Sequence, residues 1–314
     1  MLVLLAAVLS LQEESLRVEG APFLVLGGTV EARAVTPLKD VTVAWRVADA
    51  PGGILSSLET KPPFDSRTFS VRGAGRIELR STGKTEGDVL LVATLERKGM
   101  RVASAEHRLR VGPVLRVRAW CKVVENGKGG SGRPELVRDA ESRAALEKEV
   151  NERLRPLGLE VALEPGKGVA APDAWFDAGG RFHPVILKDG RKANSPTLNE
   201  LLRQNEPGGL NLYFVRDCHW TTVEPGFRKV VTEHSLRGIG LKDGVVVLDD
   251  TGDALSLAHE LGHAFGLDDL SEERERGRMM FNVRTLQTGT LFVPQEMKDA
   301  REGARRHLKA FASR

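Results

Sequence analysis

The sequence predicts two domains of different class: an all-β sandwich up to about residue 113, then an α+β domain from residue 114 to the end. Three observations predict this. At 314 residues, with 41% hydrophobic and 28% charged side chains, the chain can fill two separate soluble cores. From about Leu16 to Gly112, short alternating apolar runs are separated by Gly, Pro, Asp and Ser, with no helical period among them. After "VGP" at Val111 to Pro113, strand patterns begin to alternate with helical ones.

The chain opens on "MLVLLAAVLSLQ", an apolar run of the length of a signal-peptide core and too short to span a bilayer. Residues 1–15 are read as a signal-like segment, which implies a secreted or periplasmic protein. No Lys or Arg precedes the run, and a buried first strand is the competing reading. Net charge is only +3, with basic and acidic residues interleaved in stretches such as "SEERERGR". No face is marked out for nucleic acid, and no membrane span is expected.

Within 16–113 the strand candidates are "PFLVLGGTVEARAV", "VTVAWRV", "GRIELRS", "DVLLVATLER" and "RVASAEHRLRV". In "VTVAWRV", alternation sets Val41, Val43, Trp45 and Val47 on one face and Thr42, Ala44 and Arg46 on the other. The module loosely resembles the immunoglobulin-like domains of exported proteins, with Trp45 as a core tryptophan. It has neither their cysteine pair nor their tyrosine corner.

From residue 114 onward, "VLRVRAWCKVV" reads as a strand and "ESRAALEKEVNERLRP" as a helix with Leu146, Val150 and Leu154 recurring every fourth residue. Pro156 stops it. "LEVAL" is a strand, and "SPTLNELLRQN" a short helix with Ser195 as cap and Pro196 in the first turn. "GLNLYFVRD", "RGIGL" and "DGVVVLDD" supply three more strands before a helix that starts at Asp250 or Thr251. The last helix is "PQEMKDAREGARRHLKAF", with Met297, Ala300, Ala304 and Leu308 on one face. His219 and His234 are read as solvated loop residues.

The chemistry is concentrated in "SLAHELGHAFGLDDL", Ser256 to Leu270. Four residues apart on a helix, His259 and His263 share a face and can aim two imidazole nitrogens at one ion. Glu260 projects beside them, placed to take a proton from a metal-bound water. With 7 His and 27 Glu in 314 residues, H-E-x-x-H arises by chance at a rate on the order of one per cent. A catalytic zinc takes three protein ligands, so one is still needed. Were the helix to continue, Asp268 and Asp269 would rotate away; Gly266 can end it and turn the chain back, bringing either aspartate within reach.

"HELGHAFGLDD" resembles the metzincin zinc signature H-E-x-x-H-x-x-G-x-x-H/D, and the region from about Val114 to Arg314 is similar to the metzincin order of elements. The resemblance implies an α+β zincin domain: a mixed five-stranded sheet, an active-site helix, a methionine turn and a C-terminal helix. It implies Zn2+ held by His259, His263 and Asp269, with Glu260 as general base and Gly266 at the turn. Met280, in "GRMMFNVR", would be the turn methionine, with Met279 the alternative. A protein or peptide substrate would lie extended along the edge strand "RGIGL", Arg237 to Leu241. Cys121 and Cys218 would fall on neighbouring strands, which makes a disulfide conceivable. No tyrosine follows the methionine turn, and Tyr213 is read as core.

The expected activity is therefore zinc-dependent endopeptidase action. The alternative is a catalytically silent zinc-binding adhesion or interaction protein whose β-sandwich does the work. A glutamate-ligated zinc peptidase finds no suitably spaced glutamate: Glu272, Glu273 and Glu275 come too soon and Glu296 too late.

Overall fold

In a computed structural model of the chain, the described residues are 16–49, 55–57, 70–72, 75–81, 86–126, 134–178, 180–189, 192–224, 230–235, 238–241, 245–250, 252–269 and 294–312. The signal-like segment, Met279 and Met280 lie outside them. The chain is mixed α/β, mostly sheet, and divides into two compact units with the principal boundary between Val114 and Leu115.

The first unit contains β1 (Arg17–Gly20), β2 (Phe23–Val25), β3 (Thr29–Val35), β4 (Thr42–Asp49), β5 (Leu55–Ser57), β6 (Ser70–Arg72), β7 (Arg76–Ser81), β8 (Gly87–Arg97) and β9 (Met100–Gly112). They form two sheets, ordered β1-β3-β7-β5 and β2-β9-β8-β4-β6. Both sheets feed one core: Ala32, Ile77 and Leu79 from the first, Val43, Trp45, Val47 and Leu91 from the second, with Val41 packed at its border. In β7 strict alternation buries Ile77, Leu79 and Ser81 and exposes the residues between. The longest ladder, β8 with β9, closes through Lys98 and Gly99, both at positive φ (51° and 77°). Two such residues are what a tight hairpin needs to follow the strands' twist.

The second unit contains β10 (Leu115–Asn126), α1 (Ala140–Leu154), β11 (Leu159–Pro165), β12 (Val169–Ala171), β13 (Val185–Asp189), β14 (Lys192–Asn194), α2 (Pro196–Arg203), β15 (Leu210–Val215), β16 (His219–Glu224), β17 (Val230–Ser235), β18 (Gly238–Leu241), β19 (Val245–Asp249), α3 (Ala254–Ala264) and α4 (Pro294–Ala312). The main sheet runs β11-β10-β15-β19-β18, with β12 added beside β10. Strands β11, β10, β15 and β19 are parallel, and β18 pairs antiparallel with β19. β15 is buried along its whole length, as a central parallel strand should be.

Helix α1 starts on Asp139, whose carboxylate accepts the Ser142 amide at 2.8 Å, and buries Leu146, Val150 and Leu154. Ser195 and Pro196 begin α2 as the sequence predicts. The end of α2 is held by a closed polar network. Buried Lys122 donates to the Gln204 carbonyl and pairs with Glu206 at 3.3 Å; its ammonium lies 5.5 Å from the Tyr213 ring centre. The Tyr213 hydroxyl, 2.8 Å from the Leu201 carbonyl and 2.8 Å from the Asn205 side-chain oxygen, has one proton to give. It goes to Leu201, and the Asn205 amide turned to offer its NH2 satisfies the hydroxyl oxygen.

Two expectations change. A further sheet, β14-β13-β16-β17, is present that the pattern reading did not assign. His219 and His234 therefore lie on paired strands rather than in loops, and the His219 ring sits 5.8 Å from that of His183. The two cysteines are free and buried. Cys121 is paired with Leu212 in mid-sheet, whereas Cys218 lies past the end of β15 and bridges to Phe182, so the proposed neighbours are not neighbours. Burial pushes both thiols up to about 12.

Candidate metal centre

Helix α3 starts on Asp253, not on Asp250 or Thr251. The Asp253 carboxylate accepts the Ser256 amide at 2.7 Å and its hydroxyl at 2.9 Å, while Gly252 is still bonded back to Asp249. The helix buries Leu257, Ala258, Leu261 and Ala264, and Phe265 after it. His259 and His263 stand one turn apart with ring centres 4.9 Å from each other and planes at 90°.

Gly266 ends the helix at φ +96°. Its amide donates to the His263 carbonyl and the Leu267 amide to the Gly262 carbonyl, both at 2.9 Å. This pair of reversed bonds is the Schellman arrangement, which satisfies two otherwise orphaned carbonyls and folds the chain back. The chain thereby returns Asp269 to the histidines. Its Oδ1 lies 3.2 Å from His259 Nε2 and 3.4 Å from His263 Nε2, and the three residues' ligand atoms all fall within 4.8 Å of one another. The carboxylate that meets the imidazoles is thus that of Asp269; Asp268 is exposed and outside this cluster.

The donor set fits a divalent metal. Two imidazole nitrogens and a carboxylate oxygen are ligand types that zinc accepts, and they lie near enough to one another to share an ion. His263 Nδ1 lies 2.9 Å from the Leu267 carbonyl, which can only accept, so Nδ1 carries the proton and, in the neutral imidazole, Nε2 is left bare for a metal.

Closing helix α4 secures this turn. His307 Nε2 donates to the Ala264 carbonyl at 2.9 Å, and its ring meets Phe265 edge-on at 6.4 Å between centres. A methyl on Gly303 would overlap the Phe265 carbonyl, so the two helices touch through backbone there. Met297, Ala300 and Ala304 are buried and Leu308 half-buried, as the expected apolar face requires.

Glu260 is partly buried beside the imidazoles and accepts the Gly240 amide of β18. Burial pushes its carboxyl up, against the opposing pull of His259, His263 and that amide. The pattern reading placed no functional weight on Gly238, Gly240, Gly303 or His307. Two glycines alternating inside a strand, as in "RGIGL", do signal close backbone approach.

No family model matches the chain, and no curated protein matches it. Among solved structures, the N-terminal domain of PorA is 12% identical and aligns over 30% of this chain and 89% of its own, at a TM-score of 0.18. An FMN-binding beta-glucuronidase from Facaelibacterium prausnitzii L2-6 is 10% identical over 63% of this chain and 27% of its own, at 0.21. A glycosyl hydrolase family 2 member from Bacteroides cellulosilyticus is 11% identical over 65% and 30%, at 0.17. The chain thus spans less than a third of either glycosidase, and likenesses this slight carry no argument about fold or activity. Among the described residues, no helix is long and apolar enough to cross a membrane.

Proposed function

We propose that the chain is an exported zinc-dependent endopeptidase of the metzincin kind, with zinc held by His259, His263 and Asp269. The observation that carries this reading is the spacing of the three donor atoms, 3.2 and 3.4 Å from Asp269 Oδ1 to the two Nε2 atoms, beside a glutamate that a structural metal does not require. Bound zinc supplies Lewis acidity, making a coordinated water acidic near neutral pH and drawing charge from a carbonyl oxygen.

Glu260 takes the proton of the attacking water and hands it to the departing amine nitrogen. Its raised affinity for protons, a consequence of burial, suits both steps. The edge strand β18 offers backbone to an extended substrate, a mode that grips a chain while reading little of its sequence. Met280 serves as the methionine floor in this reading, and the N-terminal module recognises or tethers.

The test is zinc content together with casein or peptide cleavage, for the wild type and Glu260→Ala. One zinc per chain and a loss of about 10²–10⁴-fold in cleavage on substitution are expected. Bound zinc without Glu260-dependent cleavage would overturn the enzyme reading and favour the silent zinc-binding interaction protein.

A further inference from the structure

On β18, Gly238 and Gly240 face α3 while Ile239 faces the opposite side, buried in the core with Tyr213 and Val247. The two glycines meet different parts of the same residue. A methyl on Gly240 would overlap the backbone carbonyl of Glu260 and lie 2.9 Å from His263 Cβ. Helix and strand are therefore in backbone contact there, and Gly240 sets how near α3 can come. A methyl on Gly238 would lie 2.7 Å from Glu260 Cγ and 3.2 Å from its Cδ, with Leu248 Cδ1 at 3.0 Å. That neighbour is the glutamate side chain itself.

We propose that Gly238 is a positioning residue for Glu260: the space left by its missing side chain is the seat in which the glutamate stem lies, and it fixes where the carboxylate ends. This inference rests on the peptidase reading. A general base acts only within hydrogen-bond reach of the proton it takes, and a displacement of about 1 Å costs on the order of 10²-fold in rate. Filling the seat moves the stem by about that much, while none of the three atoms nearest to the added methyl belongs to His259, His263 or Asp269. Gly238 is not among the residues at positive φ, so alanine there is free of backbone strain, and its effect comes from the contact alone.

The experiment has two arms. In steady-state kinetics, Gly238→Ala is expected to lower kcat about 10–100-fold with KM within about twofold, zinc content unchanged and the visible spectrum of the cobalt-substituted protein as in the wild type. In a thermal-stability cycle on the full chain, Gly238→Ala is expected to lower the Tm of the wild type and to cost less in the Glu260→Ala background, where the stem is gone. A wild-type kcat in Gly238→Ala overturns the proposal, and so does an equal stability cost in both backgrounds. If the wild type shows no Glu260-dependent cleavage, the peptidase reading fails, and the stability cycle alone decides whether Gly238 seats the glutamate.

Discussion

The polar cluster at Lys122 and the one at His259 both lie within the second unit, yet they are built from different chemistry. Around Lys122 every strong donor meets an acceptor: the ammonium has the Gln204 carbonyl and Glu206, and the Tyr213 hydroxyl has Leu201 and Asn205. Around His259, two imidazoles and the Asp269 carboxylate converge, with Asp269 Oδ1 at 3.2 and 3.4 Å from the two Nε2 atoms. The first cluster pairs an ammonium and a hydroxyl, which hold no metal, with acceptors on the protein, whereas the second is built only of groups that can ligate one. The difference teaches that burial and charge do not single out a candidate site; the chemistry of the converging atoms does.

The sharpest way to break this comparison is to delete the aspartates one at a time. Asp269→Ala is expected to abolish zinc binding at micromolar zinc, whereas Asp268→Ala keeps one zinc per chain, as read by metal analysis after dialysis. The reverse result would shift the register after Gly266 by one. Next comes Lys122→Ala, which takes the donor from the Gln204 carbonyl and leaves a void where the buried side chain lay. It should cost about 2–4 kcal/mol in denaturant unfolding while zinc stoichiometry stays at wild type. A loss of zinc in that variant would mean the clusters are coupled. Tyr213→Phe removes one buried hydrogen bond and should cost about 1–2 kcal/mol, again with zinc retained.

The smallest effect is one of pH. In the metal-free protein, burial pulls the His263 imidazole down, but the Asp269 carboxylate and the Leu267 carbonyl outweigh it and leave the group above its ordinary 6.5. The folded state then holds the proton more tightly than the unfolded chain. That contribution is complete below pH 6.5 and is lost as pH rises through the raised value. Asp269 is held well below the usual carboxylate range by hydrogen bonds from His259 and His263, so its share is present above 3.8 and is lost on acidification. Zinc reverses the histidine dependence because it binds only bare imidazoles. The rise in Tm on adding zinc should therefore grow between about pH 5 and pH 8 by calorimetry. A rise independent of pH would exclude the imidazoles as ligands.

Much of this architecture was legible in the residues, for physical reasons that can be named. Alternation located β4 and β7, and the four-residue apolar recurrence of Leu146, Val150 and Leu154 located α1. Ser195 followed by Pro196 marked the start of α2. Gly266 marked the end of α3, because a residue at φ +96° has few other candidates. The choice between Asp268 and Asp269 could not come from composition, since it depends on how far the chain travels after the turn. The sheet β14-β13-β16-β17 escaped because its strands are short and carry many polar residues. The start of α3 was placed too early because Asp250, Thr251 and Asp253 are all good caps; only Asp253 has the serine three residues on whose amide and hydroxyl it captures.

The two free cysteines carry a consequence for where the chain can mature. A thiol with its pKa near 12 is almost never a thiolate at neutral pH, and the thiolate is the form that attacks disulfides and peroxides. Once folded, the second unit therefore presents an oxidising compartment with no nucleophilic sulfur, and its stability owes nothing to the redox poise around it. Such a chain can be held in a reducing cell interior or outside it without acquiring or losing a covalent link.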